Sequence, residues 1–403
     1  MPRTAWLEID LDRLAGNLAA VRAALPGPVR VDAVVKADAY GHGRRAVASW
    51  LARAGVDGLC VATLDEGLDL RAIGLGIPIL VLYPIPPHLV PVARAARLSL
   101  AIGDRVLLER TLAAVAGAAA VVGAGEGPPL EVQLEVETGL GRGGVLGSEV
   151  VAVRRQVEAA PGVRLSGIWS HLAAPDDARR SASQVEAFGR SLGDDAPAGH
   201  RHLASTGGLV AASAPPYDRV RPGLGLYGLV PDELSAAGLT GTLGGALRPI
   251  LSLKARPVRV VELPAGHGIS YGPTFETARP SRIATLPLGY GDGWSRALSN
   301  RAAALVRGVR VPLVGNVAMD AVMADVTDVA GPPVSVDDEF VLIGEQAAPD
   351  GTVDSIAVAD VARARTTNSW EVVTQMAARL PRVYHSAAVP VGVTTLTEEV
   401  RAW

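Results

Sequence analysis

VRVDAVVKADAYGHG, residues 29–43, runs from a β-branched apolar stretch into a lysine and then a tyrosine set among small residues and glycines. Four valines within seven residues, ahead of the glycine-rich end, predict a short buried strand. Similar runs recur between alanine- and leucine-rich helical stretches: GLCVAT at 58–63, PILVLYP at 78–84, LSLAI at 98–102 and LEVQLEVE at 130–137. RLSGIWSH at 164–171, HRHLAS at 200–205 and DRVRPG at 218–223 complete the series. Eight strands alternating with helices predict a closed parallel (β/α)8 barrel of the TIM type, with an open doubly wound sheet as the structural alternative.

After about residue 240 the texture changes. Alternating segments such as ILSLKARPVRVVELP, RIATLPLGY, RVPLVGN and DEFVLIGEQ, divided by glycine and proline turns, predict a smaller, mainly-β domain. It is expected to end in helical material around residues 355–380. The expected boundaries are 10–240 for the barrel and 241–385 for the β-rich domain, which also takes the N-terminal strand at 4–9.

The bulk numbers exclude several function classes. With 403 residues, 49% hydrophobic content and a formal net charge of −3, nothing in the balance asks for nucleic acid or an anionic membrane. The one cysteine, Cys60, rules out an intrachain disulfide framework and reads as a buried structural thiol. The start lacks the long apolar core of a signal peptide and no membrane-length apolar run follows, so a cytoplasmic protein is expected. No metal-ligand motif stands out.

Only two of the 38 basic residues are lysines, Lys36 and Lys254. A chain that otherwise uses arginine has kept Lys36 where a neutral amine is useful, because lysine sheds its proton when desolvated and adds to carbonyls whereas arginine does not. The ordinary alternative is a surface lysine. Lys254 lies in an alternating run beside Arg256 and Arg259 and reads as part of a solvated strand face. In a barrel, catalytic groups gather at the carboxyl ends of strands, and Lys36, Arg142, His171 and Arg221 all fall there.

These residues also carry a resemblance. VVKADAYGHG resembles the pyridoxal-phosphate attachment motif of alanine racemases, and ETGLGRGG, WSHLAAPD, VRPGLGLYG, ISYGPTF, LPLGYGDG and VAMDAVMADV follow in that family's order. The resemblance implies a pyridoxal 5'-phosphate-binding barrel followed by a β-rich domain. It implies a homodimer in which that domain completes the partner's active site. The implied reaction interconverts L- and D-alanine through two bases: Lys36, which also carries the cofactor, and Tyr271 from the other subunit.

By the same resemblance, Arg221 faces the pyridine nitrogen and His171 is hydrogen-bonded near it. Tyr40, Thr206, Gly223, Leu224 and Tyr290 hold the phosphate or line its surroundings. Arg142 and the partner's Met319 backbone take the substrate carboxylate, with Asp320 beside them. Two departures stand out. Glu135 occupies the position where many relatives have a lysine that becomes carbamylated and braces the active-site arginine, and is expected to supply that negative charge itself. Trp370 replaces the tyrosine common at the substrate entrance and is expected to alter substrate preference. A racemase preferring serine or a larger amino acid, and a non-catalytic cofactor-binding barrel, are the alternative functions. A related decarboxylase would call for a cysteine in the second domain, where this chain has none.

Overall fold

The computed structural model describes residues 3–122, 127–193, 199–396 and 399–401. Two compact units divide the chain: one comprises Leu14–Ala39 and Arg44–Arg248, the other Met1–Arg13, Tyr40–Gly43 and Pro249–Trp403.

The first unit is the barrel. Its strands are β1 Arg30–Val34, β2 Gly58–Val61, β3 Ile79–Val81, β4 Ser99–Ile102, β5 Leu130–Glu137, β6 Val163–Trp169, β7 His200–Ser205 and β8 Arg219–Arg221. Every neighbouring pair is parallel, and closure comes from β8 against β1, with Arg219 opposite Arg30 and Val220 opposite Val31. Strands β2, β3 and β4 are buried throughout, as strands covered on both faces must be. The alternation of β5 has a different origin. Its Leu130, Val132, Leu134 and Val136 are buried, while the interleaved Glu131, Gln133, Glu135 and Glu137 are only part-buried and make polar contacts. A buried ion pair between Asp32 on β1 and Arg219 on β8, at 2.5 Å, ties the strands that close the barrel.

Helix α1 (Leu11–Ala23), α2 (Arg44–Arg53) and α3 (Leu64–Ala72) begin the outer ring. Val47, Ala48 and Leu51 of α2 are buried, and each aliphatic side chain of Val or Leu size so covered contributes about 1.5–3 kcal/mol. At the start of α3, Thr63 and Glu66 form a capping box.

The second unit is mainly β. Ala5–Asp10 pairs antiparallel with Leu251–Ala255 and parallel with Arg382–Ser386, so the N-terminal strand belongs to this sheet. Antiparallel strands Ser281–Leu286, Ala303–Val306, Val309–Val314, Val322–Asp325 and Phe340–Ala347 extend it around buried Leu286, Leu305, Leu313 and Phe340. Two helices, Val358–Arg365 and Ser369–Thr374, stand where helical material was expected. No helix among the described residues is long and apolar enough to cross a membrane.

Lys254 corrects the sequence reading. Instead of standing in solvent it is 18% exposed and bridges Glu8 at 2.9 Å and Glu339 at 3.0 Å. Residues distant in sequence supply both carboxylates, which local alternation cannot reveal.

Candidate active site

Lys36 follows β1 at the carboxyl end of the barrel, after buried Val35. The backbone then does something unusual for residues that are not glycine: Ala37, Asp38, Ala39 and Tyr40 have φ of 52°, 55°, 53° and 53°. Left-handed helical backbone costs an L-residue roughly 1–2 kcal/mol, so this turn persists only where neighbours over-determine it. Ala37 donates its N–H to Glu66 Oε1 at 2.6 Å, Ala39 to the Val35 carbonyl at 3.0 Å, and Asp38 Oδ1 accepts from the Arg44 N–H at 2.8 Å. Burial and then the Arg142 cation pull the Lys36 amine below the ordinary lysine range, opposed in part by Cys60 and Glu66. Cys60 itself is buried, as expected, with its thiol pushed up to about 12.

Arg221, at the end of β8, is 3% exposed. Its Nη2 donates to the Ser170 carbonyl at 2.7 Å, and its guanidinium carbon lies 4.8 Å from the centre of the Trp169 ring. Its Nη1 donates to Nδ1 of His202, whose Nε2 lies 2.8 Å from Gln133 Oε1. With the Gln133 oxygen accepting, the ring proton sits on Nε2 and Nδ1 is free to take the arginine N–H. Burial and the adjacent Arg221 cation keep His202 neutral. Burial also brings Arg221 down to about 10, so it still holds its proton at neutral pH. The imidazole bonded to Arg221 is therefore that of His202, a residue the sequence reading missed. His171 is likewise held neutral, down to about 3, by burial and then by Arg221, Arg142 and Lys36, while its carbonyl accepts from Gln184 at 3.0 Å.

Thr206 begins the short helix after β7. Its Oγ1 accepts the N–H groups of Gly223 at 3.1 Å and Gly225 at 3.0 Å, which leaves the hydroxyl proton to donate elsewhere. Gly225 is required there, because a Cβ would sit 2.9 Å from Thr206 Cγ2. Leu224 heads the 3-10 turn that follows. Across the mouth, Glu135 Oε1 is 3.7 Å from Arg142 Nη2, and the Arg142 guanidinium stands 5.9 Å from the Tyr83 ring centre. Thus Lys36, Glu135, Arg142, His171, Thr206, Arg221, Gly223 and Leu224 all stand at the carboxyl ends of barrel strands.

The remaining candidates belong to the second unit. Tyr271 is 77% exposed on a loop pinned by Asn316, whose Nδ2 donates to the carbonyls of Tyr271 at 2.8 Å and Gly272 at 3.1 Å. Tyr290 and Met319 are exposed too, on loops joined by Tyr290 N–H to Ala318 O at 3.0 Å and Gly291 N–H to Met319 O at 2.9 Å. Beneath them the fully buried Asp292 carboxylate takes Arg3 at 2.6 Å and Arg379 at 2.7 Å, and Arg379 reaches on to Asp320 at 2.6 Å. Trp370 stands part-buried near the start of the helix Ser369–Thr374. Tyr40 groups with this unit as well.

Residues 9–231 match the model of the alanine racemase N-terminal domain, and residues 250–384 match that of the C-terminal domain. The chain belongs to the alanine racemase family. The alanine racemase of Desulfosudis oleivorans is 37% identical over 407 residues, covering 94% of this chain and 96% of that protein. That of Symbiobacterium thermophilum is 38% identical over 391 residues, covering 95% and 97%. Among solved structures, the alanine racemase of Bacillus anthracis with bound L-Ala-P superposes with a TM-score of 0.86 at 30% identity, over 98% of each chain. The alanine racemase of D-cycloserine-producing Streptomyces lavendulae gives 0.82 at 32% identity, over 96% of this chain and 98% of that one.

The donor chemistry of this alanine racemase barrel fits pyridoxal phosphate. Lys36 provides an amine of lowered proton affinity, able to add to an aldehyde. Arg221 provides a donor that keeps its proton, suited to an acceptor ring nitrogen. Thr206 provides a hydroxyl whose lone pairs are already engaged by N–H groups, suited to a phosphate oxygen.

Proposed function

We propose that the chain carries out its family's reaction, the interconversion of L- and D-alanine, with Lys36 and Tyr271 as bases on opposite faces of the substrate α-carbon. The observation that carries this reading is the placement of Lys36 at the barrel mouth with its proton affinity lowered by burial and by Arg142. Pyridoxal phosphate, when bound, supplies the electron sink that makes the α-proton removable.

The chain's own residues do the rest. Lys36 would hold the cofactor and, as one of the two bases, receive or return a proton at its amine nitrogen. The Thr206 hydroxyl, the Leu224 N–H and the Tyr40 hydroxyl would hold the phosphate, with Tyr290 beside it, while Gly223, its N–H committed to Thr206, shapes the turn. Arg221 would face the ring nitrogen as a donor that keeps its proton, which suits an unprotonated acceptor nitrogen and would restrain side reactions. Gln133 and His202 hold Arg221 in that role, and His171 stays neutral nearby. Arg142, braced by Glu135, and the Met319 N–H take the substrate carboxylate, while Asp320 and Trp370 wall the approach.

Tyr271, Tyr290, Met319, Asp320 and Trp370 lie in the second unit, and the exposure of Tyr271 and Met319 supports a second copy of the chain as their destination. In this homodimer the barrel at 10–240 binds the cofactor, and residues 241–385 with the strand at 4–9 complete the partner's site. A cytoplasmic setting suits an enzyme acting on a free amino acid.

Proton NMR in deuterated water, with pyridoxal phosphate and L-alanine, L-serine or a bulkier L-amino acid, followed by chiral analysis, tests the proposal. Loss of the α-proton signal with appearance of the D-enantiomer, fastest for alanine, is the expected result. Fastest turnover of serine would move the preference, and no exchange with any amino acid would leave a binding protein without turnover.

A further inference from the structure

Glu66 makes more contacts than its helix cap requires, and one of them reaches the left-handed turn directly. A capping box needs only the exchange between Thr63 and Glu66 at the start of α3. Here Oε2 accepts the N–H of Ala62 at 2.8 Å as well as that of Thr63 at 3.3 Å. Oε1 accepts the N–H of Ala37 at 2.6 Å, the first backbone donor after Lys36, and lies 3.3 Å from Arg44 Nη1. Arg44 is fixed in turn: its Nη2 bonds Asp69 at 2.8 Å and its own N–H reaches Asp38 in the middle of the turn. The carboxylate is little exposed, at 13%, and all these groups lie in the barrel unit.

We infer that Glu66 is a positioning residue for Lys36, its carboxylate holding the left-handed turn that fixes the backbone from which the lysine projects. Four consecutive residues without glycine's freedom would relax toward right-handed conformations if the anchor were lost, and the Lys36 Cα–Cβ bond would turn with them. Oxygen geometry matters as much as charge: a carboxylate can accept from three N–H groups and a guanidinium at once, whereas an amide offers one acceptor oxygen. The inference rests on the reading of Lys36 as the reactive amine.

The test compares the full-length chain with its Glu66→Ala and Glu66→Gln variants. Capture of pyridoxal phosphate by the apo-protein is followed by borohydride trapping and peptide mapping at Lys36. Glu66→Ala should slow capture roughly tenfold or more, with Glu66→Gln between it and the parent because the amide oxygen still serves Ala37. The kcat for alanine should fall in the same order while KM moves less than about threefold. A second readout needs no cofactor. Because Lys36 and Lys254 are the only lysines, trinitrobenzenesulfonate labelling of the apo-protein at alkaline pH gives a ratio with a built-in reference. That ratio should rise about threefold in favour of Lys36 once the turn is loosened. Parent-like capture rates and an unchanged labelling ratio in both variants would overturn the inference and leave the cofactor reading intact. A parent protein that never traps the cofactor on Lys36 would overturn the cofactor reading, and the labelling ratio would still decide the role of Glu66. Should Glu66→Ala fail to fold, Glu66→Gln alone decides by the same two readouts.

Discussion

Oε1 of Glu135 lies 3.7 Å from Nη2 of Arg142, close enough for charge pairing but longer than a direct hydrogen bond. Burial pushes the Glu135 carboxyl up, and Arg142 and Arg221 pull it back only in part. The brace is therefore soft, consistent with a side chain shorter than a carbamylated lysine. Glu135→Gln should raise KM for alanine by about 3- to 10-fold with a smaller loss in kcat, because the lost charge acts through the arginine proposed to hold the substrate carboxylate. Activity of the parent enzyme should also be indifferent to bicarbonate. Steady-state kinetics in degassed and bicarbonate-supplemented buffer check both, and bicarbonate-dependent activity would count against Glu135 as the resident anion.

The barrel was legible because several of its strands are buried throughout, and the short apolar runs that such burial demands are visible without any knowledge of pairing. Lys36 was legible by contrast with a chain otherwise rich in arginine. The left-handed turn behind it was not, since Ala37, Asp38, Ala39 and Tyr40 have no intrinsic preference for positive φ and the first glycine comes only at Gly41. Glu66 was hidden for another reason: a threonine with a glutamate three residues later explains itself as a helix cap. His202 was passed over inside HRHLAS, although a histidine on the strand before Arg221 was the available signal. Asp292 and Arg379 carry no local signature, because their pairing is made by the fold.

The two lysines should differ sharply toward an amine reagent. Lys36 is pulled below the ordinary lysine range by burial and Arg142, whereas Lys254, despite its burial, is raised by Glu8 and Glu339. A lower proton affinity leaves more free amine at any pH below the usual lysine value of about 10.4. At neutral pH the apo-protein should therefore be acylated at Lys36 before Lys254. Peptide mapping of a time course checks the order, and the reverse order would show that Lys36 is not activated by its surroundings.

Asp292 links acid sensitivity to the loops that carry Tyr290 and Met319. Burial alone would raise its carboxyl, but bonds from Arg3, Arg379 and the Gly289 N–H outweigh that and hold it below the ordinary range. A carboxylate with a depressed folded-state pKa adds stability above its unfolded value of about 3.9 and loses it as pH falls through the folded one. Asp292→Asn should therefore cost about 1–3 kcal/mol at pH 7 and progressively less toward pH 3. Thermal melts across that range check the convergence. An equal loss at every pH would assign the effect to packing instead.

Tyr271 allows the two-base proposal and the shared site to be tested together. If each base serves one face of the α-carbon, Tyr271→Phe removes only one of them. Racemisation should drop by roughly 10²- to 10⁴-fold, while Lys36 still exchanges the α-proton of the single enantiomer it faces, with retention of configuration. Exchange with inversion at the parent rate would remove Tyr271 from the mechanism. The phenol is exposed on the second unit, so the proposal places it in the partner's site. Lys36→Ala and Tyr271→Phe chains, each inactive alone, should then complement when refolded together. Half of a random mixture forms mixed dimers, each with one site holding both native residues, so activity should recover to about a quarter of the parent value. If both bases came from the same chain, no mixture would recover activity.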